Sequence, residues 1–298
     1  MKRIYRELLF LVKHGIRNFV LDLSNRKLFD MNISKADSTG STSLTDSQHH
    51  YNYPDFCELA SRDDKLFKQF RRAKIIATVY DHVSIDLGKK YITEISKYGP
   101  ITNKHLFAVH QIDALGNPRK YIFPFFGATS PTSLRYLKVY LDLTYYFGFS
   151  NMMKVAEIGI GFGGQASLIS LLEPPGVYNL FDIPPVLNLA KRFTTELKVQ
   201  NNLEFLDGRN PKEIESDLVI SNYAFSELTK TIQEIYLENV ILRATRGYIT
   251  WNSLGQDFMS AYSLADLVRI IPNSQIIPEV PNSHNGNSIL IWGHSKSK

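Results

Sequence analysis

A chain of 298 residues with an apolar fraction of 44% can bury the core of one α/β domain and still carry a sizeable further segment. Its single cysteine, Cys57, excludes an intrachain disulfide and makes the cytoplasm the expected compartment. The net charge of +5 is a mild excess without a dense Lys/Arg stripe among aromatics, which argues against a nucleic-acid partner, and no apolar run approaches the roughly 20 residues of a membrane-spanning helix.

The chain opens on a basic amphipathic pattern, Lys2–Phe19, in which Arg3, Arg6, Lys13 and Arg17 surround Ile4, Leu8, Leu9, Val12 and Ile16. Such a helix suits peripheral contact with a membrane surface or docking on a partner. The charges that interrupt its apolar patch argue against a signal peptide. Ile33–Tyr53 is rich in Ser, Thr, Asp and Asn and reads as a linker, with His49 and His50 solvated in it. Tyr53–Tyr80 predicts a helix, with Pro54 in its first turn and Phe56, Leu59, Leu66, Phe67, Phe70, Ile75 and Val79 near helical spacing. Ile85–Tyr98 predicts another, ended by Gly99-Pro100. The period then changes, and His105–Gln111 with Tyr121–Phe125 predicts a strand hairpin around residues 114–118. Ser130 as N-cap and Pro131 at the first helical position open an aromatic-rich helix over Leu134–Phe147.

From Met153 onward, strands and helices alternate. Strands are expected at Lys154–Ile158, Val177–Phe181, Leu203–Leu206, Leu218–Ser221, Gly247–Trp251, Gln275–Pro278 and Ser288–Trp292. Helices are expected at Gly164–Leu172, Pro185–Leu197, Ser226–Asn239 and Ser263–Ile271. This rhythm predicts an α/β fold, a mostly parallel Rossmann-like sheet covered by helices. The last two strands leave no room for a helix between them and should form an antiparallel hairpin. The expected division is a mainly helical substrate cap over residues 1–129 and a cofactor-binding domain over 130–298.

The first strand of that sheet runs into Gly159-Ile160-Gly161-Phe162-Gly163-Gly164-Gln165. Gly159, Gly161 and Gly164 spell the nicotinamide fingerprint G-x-G-x-x-G. Glu157, Gly159, Gly161 and Gly163 spell an acid followed by three alternate glycines, a methyltransferase pattern. Both patterns need glycine because the backbone turns sharply and passes close to a ligand. They differ in the ligand's charge. A dinucleotide sets its pyrophosphate on the helix N-terminus, where Glu157 would repel it. S-adenosyl-L-methionine instead carries an ammonium group that Glu157 would suit. The charge favours S-adenosyl-L-methionine as cofactor, with an NAD-dependent oxidoreductase as the alternative. Gln165 completes the loop's candidate set. Asp182 ends the second strand, where an acid can accept from both ribose hydroxyls, and Ile183 follows it against the adenine face. Asp207 ends the third strand within reach of the adenine amino group, and Ser221 ends the fourth beneath the methyl donor.

The runs AEIGIGFGGQ, YNLFDIPPVLNLA, SDLVISNYAFSEL and GYITWNS, with SPTSLRYLKVYLDL and GNPRKY upstream, resemble the sugar O-methyltransferase family of bacterial surface-polysaccharide and natural-product clusters. The likeness spans roughly residues 100–295 and implies a class I methyltransferase sheet acting on a sugar-containing small molecule or lipid-linked precursor. The FDIPPV stretch is also similar to O-methyltransferases of phenols, whose usual base histidine after the fourth strand is missing here. A sugar hydroxyl benefits from a general base, for which Glu227 and His284 are the catalytic candidates. His110, Arg135, Asn222, Tyr223 and Asn252 are candidates for binding the acceptor, and Arg135 equally suits a phosphate or the cofactor carboxylate. No tight Asp/Glu/His cluster stands out, so no metal is expected, and the supply of cysteine and histidine is too scattered for zinc. The oligomeric state is open, and a homo-oligomer is compatible with this reading.

Overall fold

The computed structural model describes residues 53–199, 202–253 and 261–294. The predicted basic helix Lys2–Phe19 and nearly all of the predicted linker lie outside the described residues.

The N-terminal part is built from α1 (Tyr53–Arg62), α2 (Asp64–Phe67), α3 (Lys74–Val79), α4 (Ile85–Ile95) and α5 (Asn103–Ala114), followed by a two-stranded hairpin of β1 (Tyr121–Phe123) and β2 (Gly127–Thr129). Helix α6 (Pro131–Phe147) leads into β3 (Lys154–Ile158), α7 (Gly164–Leu172), β4 (Val177–Asp182), α8 (Pro184–Glu196), β5 (Leu203–Asp207) and β6 (Leu218–Asn222). Next come α9 (Lys230–Tyr236), β7 (Gly247–Trp251), α10 (Leu264–Ile270), β8 (Gln275–Pro278) and β9 (Ser288–Trp292). The strands from β3 onward form one sheet in the order β5-β4-β3-β6-β7-β9-β8. All neighbours are parallel except β9, which runs antiparallel between β7 and β8. This is the class I methyltransferase variant of the Rossmann plan, with the expected closing hairpin. Among the described residues, no helix is long and apolar enough to cross a membrane.

The central strands are buried on both faces, β7 at every position, as a sheet covered by helices requires. Helix α6 is buried along nearly its whole length because α4 and α5 pack on one side of it and α7 on another. Its start matches the sequence: the Ser130 hydroxyl accepts from the Thr132 N–H, and Pro131 takes the first position. Gly148 in the left-handed conformation ends it. One hydrophobic cluster runs without a break from Tyr53 and Phe56 on α1 through α6 to Ile291 on β9.

Three predicted elements differ in the structure. Tyr53–Tyr80 is broken into α1, α2, a 3-10 turn at Phe70–Arg72 and α3. Asp63 causes the first break, because its carboxylate accepts from Lys65 N and Leu66 N and so starts a new helix. Arg71 holds the second, directing its guanidinium onto Asp81 at 2.7 and 2.8 Å and onto the Ile112 carbonyl at 3.1 Å, all buried. His105–Gln111 is not a strand but the middle of α5. Thr102 caps that helix, with its hydroxyl accepting from His105 N and the His105 ring returning to Thr102 N. The buried set Ala108, Val109 and Ile112 is a helical face, and the hairpin partner of β1 is β2 instead. Finally, the helix expected over Ser226–Asn239 divides into a 3-10 turn at Ala224–Glu227, α9 and a π turn at Leu237–Ile241.

Candidate cofactor and acceptor site

In an open parallel sheet the strand order reverses where two neighbouring strands send their connections to opposite faces, leaving a crevice at their carboxyl ends. Here that point lies between β3 and β6, and a cavity of about 490 Å³ opens there. Ile158 and Gly159 at the end of β3, Asp182 and Ile183 after β4, and Asn222 and Tyr223 after β6 contribute to its walls. The N-terminal segment covers it with Tyr53, Tyr80 and His82.

The glycine turn is as tight as its sequence implies. Gly159, Gly161 and Gly163 have φ of 75°, 55° and 82°, in the left-handed region. A Cβ on Gly159 would lie 2.0 Å from the Ala224 Cβ, and one on Gly161 would lie 2.5 Å from the Tyr80 ring. The close approach demanded of these glycines is therefore made, in part, by the protein itself. Tyr80 covers Gly161, while Gly159 remains in the wall.

Asp182 is anchored by this turn. Its Oδ2 accepts from Gly161 N at 2.9 Å and its Oδ1 from Ile183 N at 2.8 Å. Burial pushes its pKa up to about 7, against the pull of those N–H groups. Across the cavity, burial also raises Glu227, which Asn252 partly holds in its charged form by donating Nδ2–H to Oε1 at 2.8 Å. Asn222 accepts from the Thr250 hydroxyl at 3.3 Å, and its buried Nδ2 has no hydrogen-bond partner.

Tyr223 has φ of 68°, a conformation rare for a bulky residue and found where a site over-determines the backbone. Its hydroxyl donates to Glu279, beside Ser283, and burial pushes its pKa up to about 12. The Arg135 guanidinium stands 5.4 Å from the Tyr223 ring centre and 5.7 Å from that of Tyr136. His82 presents an open edge, yet the walls around it and the neighbouring Arg135 cation push its imidazole down to about 4. His284 lies exposed at the mouth, in the loop between β8 and β9, with Nδ1 2.9 Å from the Asn285 carbonyl.

One cavity thus gathers Gly159, Asp182, Ile183, Arg135, Asn222, Tyr223, Glu227, Asn252 and His284 of the sequence-predicted set. Other members lie elsewhere. Glu157 is buried in the sheet, where the Tyr178 hydroxyl on β4 donates to it at 2.5 Å. Burial pushes its pKa up to about 8, and it is not part of the cavity wall. Gln165 is buried and donates to the Tyr136 carbonyl, and Gly163 packs on Ala190 of α8. The Ser221 hydroxyl ties strand to turn, donating to the Ile158 carbonyl and accepting from Phe225 N, both at 3.0 Å. Asp207 turns outward onto Arg209, leaving Gly208 and Arg209 in the wall. His110 is exposed on α5, 2.7 Å from the Phe126 carbonyl, and does not reach the cavity.

Sequence reasoning missed Tyr53, Tyr80, His82 and the Glu279–Ser283 pair. The two tyrosines occupy apolar positions of a helical pattern, which carries no sign of a ligand. Only the end of that pattern at Tyr80-Asp81-His82 marks the place.

Sequence comparison matches the chain to no family model and to no curated protein. Its fold is similar to solved structures at low identity. A protein of Thermoplasma acidophilum is 18% identical, with a TM-score of 0.40, covering 65% of this chain and 97% of its own. A SAM-dependent methyltransferase from Aquifex aeolicus is 18% identical, with a TM-score of 0.37, covering 50% and 89%. A Streptococcus mutans protein solved in complex with SAH is 12% identical, with a TM-score of 0.40, covering 51% and 95%.

Proposed function

We propose that this chain is an S-adenosylmethionine-dependent O-methyltransferase whose acceptor is a hydroxyl of a sugar or glycan precursor. The observation that carries the proposal is the pairing, within one cavity at the reversal point of the sheet, of a ribose-suited carboxylate with a second half-buried carboxylate. Asp182 would hold the ribose hydroxyls and Ile183 would lie against the adenine. Asn222 offers its free amide N–H groups to a carbonyl or hydroxyl.

Bound S-adenosylmethionine supplies a methyl group on a sulfonium leaving group. The remaining work belongs to the chain: aligning the acceptor, excluding water and taking a proton. Glu227 is suited to that last role. Asn252 occupies Oε1, and Oε2 is the oxygen left to accept the proton of the acceptor hydroxyl. Tyr223, Asn252 and Ser283 present polar groups that suit a polyol. The resemblance in residues 100–295 supports a sugar over a phenol.

Calorimetry with S-adenosylhomocysteine and with NAD tests the cofactor. Binding of NAD without binding of S-adenosylhomocysteine would refute the proposal. Transfer of a labelled methyl group to nucleotide sugars, lipid-linked saccharides and RNA tests the acceptor; labelling of RNA alone would overturn the sugar assignment.

A further inference from the structure

Three cationic side chains are buried among the described residues: Arg71, Lys138 and Arg135. Removing a cation from water costs several kcal/mol unless an anion compensates it. Two of the three are compensated. Arg71 lies on Asp81 at 2.7 Å, with Asp113 at 3.5 Å, and Lys138 lies on Asp142 at 2.5 Å. Arg135 is 8% exposed and makes no ion pair with a carboxylate among the described residues. Its guanidinium donates from Nη2 to the Tyr80 carbonyl at 3.3 Å and also hydrogen-bonds the Tyr136 hydroxyl, and the aromatic faces of Tyr136 and Tyr223 flank it. Asp81, whose charge also acts on Arg135, is engaged by both the Nε and Nη2 of Arg71. Unlike the other two, Arg135 is part of the cavity wall.

We propose that Arg135 is an anion seat: its guanidinium receives a carboxylate or phosphate group of a ligand bound in this cavity. The planar fork of arginine matches such groups with two parallel N–H donors, which a lysine cannot reproduce. The same wall brings His82 and Ser84 alongside, while the Ser283 hydroxyl donates to Glu279. The seat rests on the proposed function for its two sources of anion. One is the carboxylate of the donor's methionine tail, and the other is an acidic group on the acceptor, as in a sugar acid or sugar phosphate.

The experiment compares wild type, Arg135→Gln and Arg135→Lys by calorimetry with three probes. S-adenosylhomocysteine carries the carboxylate, 5′-methylthioadenosine lacks the amino-acid tail, and inorganic phosphate stands for an acceptor anion. If the donor fills the seat, Arg135→Gln loses roughly 10- to 100-fold in affinity for S-adenosylhomocysteine and Arg135→Lys recovers only part of it. Binding of 5′-methylthioadenosine then stays within about twofold, which also shows that the variant is folded. If the acceptor fills it, both nucleosides bind all three proteins alike, and phosphate binding seen with wild type vanishes in Arg135→Gln. Unchanged binding of all three probes by Arg135→Gln overturns the proposal, as does equal loss of both nucleosides in a variant whose thermal unfolding matches wild type. Failure of wild type to bind either nucleoside would count against the methyltransferase reading, while the phosphate comparison would still decide the seat.

Discussion

Replacing Asp182 with asparagine tests the cofactor half of the site most directly. The protein holds this carboxyl at about 7, because burial outweighs the N–H groups of Gly161 and Ile183 that favour its charged form. Ribose hydroxyls donate to the carboxylate, so nucleoside binding favours ionisation and draws the proton off. The sign follows: below pH 7 the affinity for S-adenosylhomocysteine falls towards tenfold per pH unit, and above about 8 it levels. Binding at pH 6 should therefore release protons, seen as a dependence of the calorimetric enthalpy on the ionisation enthalpy of the buffer. Asp182→Asn removes one or two charge-assisted hydrogen bonds, each worth about 1.5–3 kcal/mol. The expected loss is about 2–4 kcal/mol, or roughly 30- to 1000-fold in Kd at pH 8, with the pH dependence abolished. An affinity that is flat from pH 5.5 to 8 in wild type, or undiminished in a folded Asp182→Asn protein, would refute the assignment.

Two acids raised by burial, Asp182 to about 7 and Glu157 to about 8, penalise the fold when they ionise. Their unfolded values lie near 4, so stability should be full below about pH 4 and decline as pH rises from about 4 to 8. Thermal unfolding across that range checks this, and Glu157→Gln should flatten the decline. The glycine turn should give a graded series. Gly163→Ala adds only left-handed strain of about 1–2 kcal/mol, since its Cβ would meet Ala190 at 3.4 Å. Gly159→Ala adds a 2.0 Å clash with Ala224, so its total reaches about 2–5 kcal/mol and its Tm falls clearly further. Equal Tm values would contradict the packing described. Glu227→Gln should lower kcat by about 100-fold or more while leaving S-adenosylhomocysteine affinity within twofold, measured by labelled methyl transfer and calorimetry.

Much of the sheet was legible because its central strands are buried on both faces and carry apolar runs bounded by turns, and helices fill the intervals between most of them. The glycine loop and Asp182 were legible for a related reason: each is dictated by backbone geometry at a strand end, and strand ends were the best-defined positions. Glu157 was misassigned because an acid at a strand end gives no sign of whether it faces the crevice or a neighbour such as Tyr178. The roof of the site was illegible. Tyr53 and Tyr80 look like core positions, and they are core on one face. His105–Gln111 failed because a short apolar run fits either period, and only the reciprocal cap with Thr102 decides it. Arg71 broke a predicted helix through a partner ten residues on and a carbonyl 41 residues on, contacts that local pattern cannot contain.

The N-terminal segment is clamped to α8 by Asn188 donating to Glu58 at 2.8 Å, by the ion pair of Arg192 with Asp64, and by Arg192 stacked 4.2 Å from the Phe67 ring centre. These contacts lie outside the cavity, yet they hold the segment that supplies Tyr53, Tyr80 and the carbonyl that steadies Arg135. Docking of the segment and occupancy of the cavity are thus linked equilibria that share one free energy. A ligand that touches both roof and floor fastens the clamp, and a weakened clamp loosens the ligand by the same factor. A substitution on the surface of α8 that loosens these contacts would therefore weaken such a ligand without touching it.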